Sequence, residues 1–193
     1  MKNVKQQSSI SLATLLFFGF TVLFTACNNS SDKSEKSELK EPSMTIQEAA
    51  FLGNEKGIKE HIDFKSDLNQ KDTYGSTPLH IAATFGKNET AILLIEGGAD
   101  INAINGDGST ALHVASFFCR KDIVRALLDK NADVTIQNSY KSTALEVLSP
   151  SFETVKPVYD QLSKDLGPLG LKLDYDKIEE MRPIIAEMIK AKS

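Results

Sequence analysis

Thr77-Pro78-Leu79-His80-Ile81-Ala82-Ala83 returns 33 residues later as Thr110-Ala111-Leu112-His113-Val114-Ala115-Ser116. After another 33 residues the pattern starts again as Thr143-Ala144-Leu145-Glu146-Val147-Leu148. A fixed period of this size marks a repeat array, in which one supersecondary unit cannot bury its own apolar face and stacked units make a continuous core. Gapless units run over residues 44–76, 77–109 and 110–142, and a partial fourth begins at Thr143.

The residues of one unit predict its local structure. Thr77 and Thr110 are N-caps, and Pro78 suits the first helical position. Leu79, Ala82 and Ala83 mark the inner side of a short first helix, where small residues let a neighbouring helix approach. Gly86 ends that helix with a left-handed residue. Ala91-Ile92-Leu93-Leu94-Ile95 continues into a second helix, apolar enough to be buried on most sides. Gly98 ends it, and Asn131 takes the same place in the next unit. Asp100 to Gly108 forms a connecting finger whose Asn105-Gly106-Asp107-Gly108 carries turn chemistry.

Two signatures, Thr-Pro-Leu-His-Ile-Ala-Ala at residues 77–83 and Gly-Ala-Asp-Ile-Asn at residues 98–102, give the array a resemblance to ankyrin repeats over residues 44–148. The resemblance implies an all-α fold: an ankyrin-repeat solenoid of helix-turn-helix-β-turn units. It also implies that Thr77, His80, Thr110 and His113 form a structural repeat motif, with the imidazoles tying turn to helix. The first unit departs from the pattern, with Met44-Thr45-Ile46-Gln47 in place of Thr-Pro-Leu-His, as suits a solvated N-terminal cap. Cys119 stands where Gly53 and Gly86 stand, and a side chain there costs about 1 kcal/mol if the left-handed conformation is kept. Lys141 replaces the turn glycine, and Glu146 replaces histidine, where the array is ending.

Beyond Pro150 the period is lost. Phe152, Val155, Tyr159, Leu162 and Leu166 fall at helical spacing, and Gly167-Pro168-Leu169-Gly170 breaks that helix. Asp174 or Asp176 can cap another helix, with Ile178, Met181, Ile185, Met188 and Ile189 on one face and Pro183 expected to kink or split it. This ending resembles the C-terminal extension of some bacterial ankyrin-repeat proteins. The expectation is an enlarged helical C-terminal cap over residues 143–193, with a partner-binding arm as the alternative.

The N-terminus has a different character. Lys2 and Lys5 precede an apolar run from Ile10 to Ala26, the layout of a secretory signal peptide over residues 1–26. Leu23-Phe24-Thr25-Ala26-Cys27 resembles a bacterial lipobox, with phenylalanine where leucine is usual. The resemblance implies cleavage before Cys27, lipidation of its thiol and a membrane anchor; an uncleaved membrane helix is the alternative. Residues 28–43 are polar with a single apolar Leu39, so residues 27–43 are expected to form a tether reaching about 20–25 Å. The expected location is therefore a bacterial cell envelope, on the periplasmic side or the cell surface.

Composition narrows the function. The 193 residues are 41% hydrophobic and 25% charged, with net charge −4 and 22 basic residues. No basic stripe is present of the kind nucleic acid requires. Two cysteines, Cys27 and Cys119, exclude a disulfide framework and a cysteine-based zinc site. The three histidines have no set of ligands at metal spacing, and His61 is expected to be partly exposed. Cys119 reads as a packed residue, although Arg120 and Lys121 could favour its thiolate. No catalytic constellation, metal or cofactor is expected.

Recognition is the remaining reading, by a monomer binding a protein partner. In ankyrin proteins the contact surface is the concave one, built from finger tips and first helices. Carried over by position, the partner-binding candidates are Tyr74, Phe85, Asp107, Phe117, Phe118 and Tyr140. An accessory factor that protects or inhibits one envelope enzyme is the alternative, and an enzyme with an unrecognised site is a lower one.

Overall fold

The computed structural model describes residues 40–192. The expected signal peptide, Cys27 and most of the expected tether lie outside the described residues. Among the described residues no helix is long and apolar enough to cross a membrane.

The helices follow the 33-residue register. They are α1 (Ile46–Leu52), α2 (Glu55–Asp63), α3 (Pro78–Phe85), α4 (Asn88–Glu96), α5 (Ala111–Phe117) and α6 (Lys121–Asp129). A 3-10 turn at Glu146–Leu148, α7 (Phe152–Leu166), a second 3-10 turn at Gly167–Leu169 and α8 (Tyr175–Lys190) complete the order. The first helices α1, α3 and α5 pack on one another in a row, and α2, α4 and α6 pack in a second row behind them. Close approach is possible because Ala49, Ala82 and Ala115, one per repeat at the same register, are wholly buried, as are Ala50 and Ala83 beside the first two. Leu79, Leu94, Leu112 and Leu127 fill the space between the rows. Burial of each such side chain contributes about 1.5–3 kcal/mol.

The backbone repeats as faithfully as the side chains. Gly53, Gly86 and Cys119 end the three first helices at φ of 73°, 64° and 54°. Lys65, Gly98 and Asn131 share the left-handed region after the second helices, and Gly75, Gly108 and Lys141 share it in the fingers. The conformation belongs to the fold, and three non-glycine residues besides Asn131 occupy it at a cost.

The fourth unit is enlarged in a definite way. Its first helix has shrunk to the 3-10 turn at 146–148, which packs on α5, and α8 packs on α6 and on that turn. These are the places of a first and a second helix, so α7 is an insertion between them. Asp174 caps α8, its carboxylate accepting from the Lys177 N–H at 3.2 Å. Arg182 is buried inside this end, its Nη2 donating to the carbonyls of Pro150 at 2.7 Å and Leu148 at 3.0 Å.

Two sequence expectations are corrected here. Pro183 does not split α8 in two, since the helix runs unbroken from Tyr175 to Lys190. Pro183 sits on the exposed face, where water can reach the carbonyl it leaves free, and buried Ile178, Arg182, Ile185 and Ile189 hold the other face. His61 is buried rather than partly exposed. Its Nε2 donates to the Met44 carbonyl and its Nδ1 accepts from the Ser66 hydroxyl, both at 2.9 Å, so the ring closes the first unit upon itself.

Candidate partner-binding surface

Each finger is built by one side-chain carboxyl or amide. Asp72 accepts from the N–H groups of Tyr74 and Ser76, each at 2.8 Å. Asn105 does the same for Asp107 at 3.0 Å and Ser109 at 2.9 Å, and Asn138 for Tyr140 at 3.0 Å and Ser142 at 3.2 Å. These local turns present Tyr74, Asp107 and Tyr140 at the three tips.

Neighbouring tips are stitched together. Gly106 N–H donates to the Tyr74 carbonyl at 3.0 Å, and Ser139 N–H donates to the Asp107 carbonyl at 2.9 Å. A Cβ on Gly106 would stand 2.6 Å from the Tyr74 carbonyl oxygen, so a side chain at this tip would force a local shift. Behind the tips, His80 and His113 span repeats. Nδ1 of His80 accepts from the Thr77 hydroxyl at 2.8 Å, while its Nε2 donates to the Ser109 carbonyl, 29 residues on, at 2.8 Å. His113 repeats the arrangement with Thr110 at 2.8 Å and the Ser142 carbonyl at 3.0 Å. Because a carbonyl can only accept, both rings carry a proton on Nε2, and because the backbone N–H groups of Thr77 and Thr110 donate to Nδ1 at 3.3 and 3.2 Å, Nδ1 is unprotonated and both rings are neutral. Burial lowers the pKa of both. Asn69 and Asn102 make a second set of ties, accepting from the N–H groups of Asp100 at 2.7 Å and Asp133 at 2.9 Å in the next repeat.

A groove of about 610 Å³ runs between the last two fingers and α7. Val114 and Phe117 of α5 form its floor, and Val158, Leu162 and Leu166 of α7 form the far wall. A buried anchor helps to hold α7 there: Tyr159, wholly buried, donates its hydroxyl to the Phe117 carbonyl at 2.5 Å and receives Arg182 Nη1 at 3.3 Å. Its ring lies 4.7 Å from that of Phe117. Burial pushes the Tyr159 hydroxyl up to about 12, so it stays a donor at any ordinary pH.

A sequence-family profile described as ankyrin repeats in three copies matches residues 46–138. Residues 46–138 are ankyrin repeats. No curated protein matches the chain. Ankyrin repeats are in general modules of protein–protein interaction, and ankyrin proteins are typically non-enzymatic.

Within the ankyrin array the six candidate residues have different fates. Tyr74 and Tyr140 are 79% and 75% exposed. Asp107 is exposed between them in the order of fingers, and Asp107 and Tyr140 both line the groove. Phe117 is half-buried at the groove floor. Phe85 is half-buried and packs edge-to-face on Phe51, with ring centroids 4.7 Å apart, so it belongs mainly to the stacking of repeats. Phe118 is 7% exposed and belongs mainly to the core, while still lining the groove beside Phe117. It shares the register of exposed Leu52 and half-buried Phe85, but α8 brings Ile178 and Met181 beside it and the Arg120 guanidinium lies over its ring at 5.7 Å. Thr77, His80, Thr110 and His113 are buried scaffold.

Cys119 lacks the activated character its basic neighbours suggested. Burial pushes its thiol up to about 11, and Sγ donates to the Ile178 carbonyl at 3.6 Å. The nearby guanidiniums of Arg182 and Arg120 pull the other way and lose, because desolvation of a thiolate outweighs them.

The α7 wall was not anticipated as part of the surface. Its residues have the spacing of an amphipathic stripe, but the stripe alone does not say that only Tyr159 is fully buried. Val114, Val147 and Val158 carry no distinguishing signal of their own.

Proposed function

We propose that this protein is a non-catalytic binding module that recognises a partner protein through its finger tips, first helices and the groove beside α7. The observation that carries the reading is the row of Tyr74, Asp107 and Tyr140 on stitched tips, with two large aromatic side chains left almost fully exposed. Exposed tyrosines on a rigid frame are favourable anchors, because they supply contact area with little conformational freedom to lose. The tether and lipidated Cys27 would hold the module at a bacterial membrane, a reading supported by the lipobox-like Leu23-Phe24-Thr25-Ala26-Cys27.

Photocrosslinking in intact bacterial cells tests the reading. A crosslinkable residue at position 139, beside Tyr140 on the exposed third finger tip, is expected to capture a discrete protein from the full chain with Asp107 intact, and Tyr74→Ala with Tyr140→Ala to abolish the capture. The same captured set from wild type and double variant would overturn the assignment of this face. In the same cells Cys27→Ser is expected to move the protein from the membrane to the soluble fraction, and unchanged fractionation would remove the anchor from the account.

A further inference from the structure

The groove differs in chemistry from the rest of the finger face. Its floor and far wall are apolar, and α7 leaves that wall open: Val158 is 49% exposed, with Leu162 and Leu166 half-buried beside it. In α7 Tyr159 is fully buried and Phe152, Val155, Leu162 and Leu166 are packed part-buried against the core, which leaves Val158 and the outer sides of Leu162 and Leu166 facing the groove. The near wall carries polar groups that are already committed. Asn105 and Asn138 hold their own turns, and the Ser109 and Ser142 carbonyls receive His80 and His113.

Asp107 is the exception. Its carboxylate is the one formal charge among the groove-lining residues. Asp72, in the first finger, spends its carboxylate on capping the turn. In the second finger Asn105 does that work, and among the described residues the Asp107 carboxylate has neither a hydrogen-bond donor nor an ion-pair partner. An unpaired anion therefore stands at the edge of an apolar groove, with the exposed Tyr140 ring lining the same space.

We infer that the groove takes an apolar segment of the partner protein that carries an arginine or lysine, the cation pairing with Asp107 beside Tyr140. This rests on the binding-module reading and names the chemistry of its partner. Charge complementarity selects the occupant. An acidic segment would meet repulsion from Asp107. A segment with no charge would leave that carboxylate partly desolvated and unpaired. A cation gains the carboxylate and the face of an aromatic ring together. The apolar side chains of the same segment cover Val158, Leu162 and Leu166.

Selection of a random linear peptide library on the purified full chain, followed by titration of the enriched peptides, tests this. Enriched sequences are expected to combine Leu, Ile or Phe with Arg or Lys. Asp107→Asn should weaken them about ten-fold. Asp107→Lys should lose them and prefer the same peptides with Arg or Lys changed to Glu. Leu162→Ser should weaken binding of both peptide forms, with melting followed to confirm that the variant is folded. Enrichment of acidic or purely apolar peptides, binding indifferent to Asp107→Lys, self-association through this face, or no enrichment at all would overturn the inference. If position 139 captures a protein in cells while the captured segment has no basic residue, the inference fails and the binding-module reading stands. If position 139 captures nothing, the reading itself fails.

Discussion

Single residues here are chosen by backbone conformation and by which repeat lies next. Lys141 holds φ at 61° where Gly75 and Gly108 stand in the earlier fingers. A left-handed non-glycine residue costs about 1–2 kcal/mol, and glycine returns about 0.5–1 kcal/mol of that through the unfolded chain. Lys141→Gly is therefore expected to stabilise the protein by about 0.5–1 kcal/mol in urea unfolding; a loss of stability would mean that the lysine side chain makes a contact worth more than its strain. The histidines carry a pH dependence of definite sign. His80 and His113 both have pKa lowered from 6.5 by burial, so the unfolded chain binds their protons more readily. Their contribution is complete above about pH 6.5 and is lost as pH falls through the folded values. Unfolding midpoints should fall on acidification below that point, and His80→Gln with His113→Gln should flatten the slope. Glu146 occupies the same register in the fourth unit, its carboxylate accepting from the Thr143 N–H at 2.7 Å. Only the local half of the histidine's work survives there, which is consistent with the array ending.

Helices and turns were legible to the extent that their causes are local. Caps at Thr77 and Thr110, small residues at 82 and 115, and left-handed positions at 86 and 98 all act within a few residues, so the 33-residue pattern carried them. The C-terminal elements depend on contacts made at long range. Arg182 reads in the sequence as one charge on an amphipathic helix, yet it is 5% exposed and joins α8 to the 3-10 turn at 146–148. Tyr159 reads as one apolar position among five, yet it fixes α7 to α5. Phe118 and Phe85 share a register and differ in burial because α8 follows one and a further repeat follows the other. Arg182→Ala should cost about 1–3 kcal/mol, since the Leu148 and Pro150 carbonyls lose their donor. Tyr159→Phe should cost about 1 kcal/mol, and in the double variant the two losses should fall short of their sum because the side chains bond each other at 3.3 Å. Additive losses would show that the two anchors act separately.

At the scale of the whole chain, the three ankyrin repeats supply a stiff frame and the enlarged fourth unit supplies the shape. Without α7 the last two fingers would face solvent over the floor made by α5. With it, they face an apolar wall across a groove of about 610 Å³. The finger-tip half of this surface was readable from Tyr74, Asp107 and Tyr140, which repeat at one register. The α7 half was not, because an amphipathic stripe has the same spacing whether its face is fully covered or left open to solvent. Hydrogen exchange of the full chain, alone and with the protein captured from position 139, locates the contact directly. New protection is expected over residues 105–109, 138–142 and 158–166. Protection confined to the second helices, residues 88–96 and 121–129, would contradict the account.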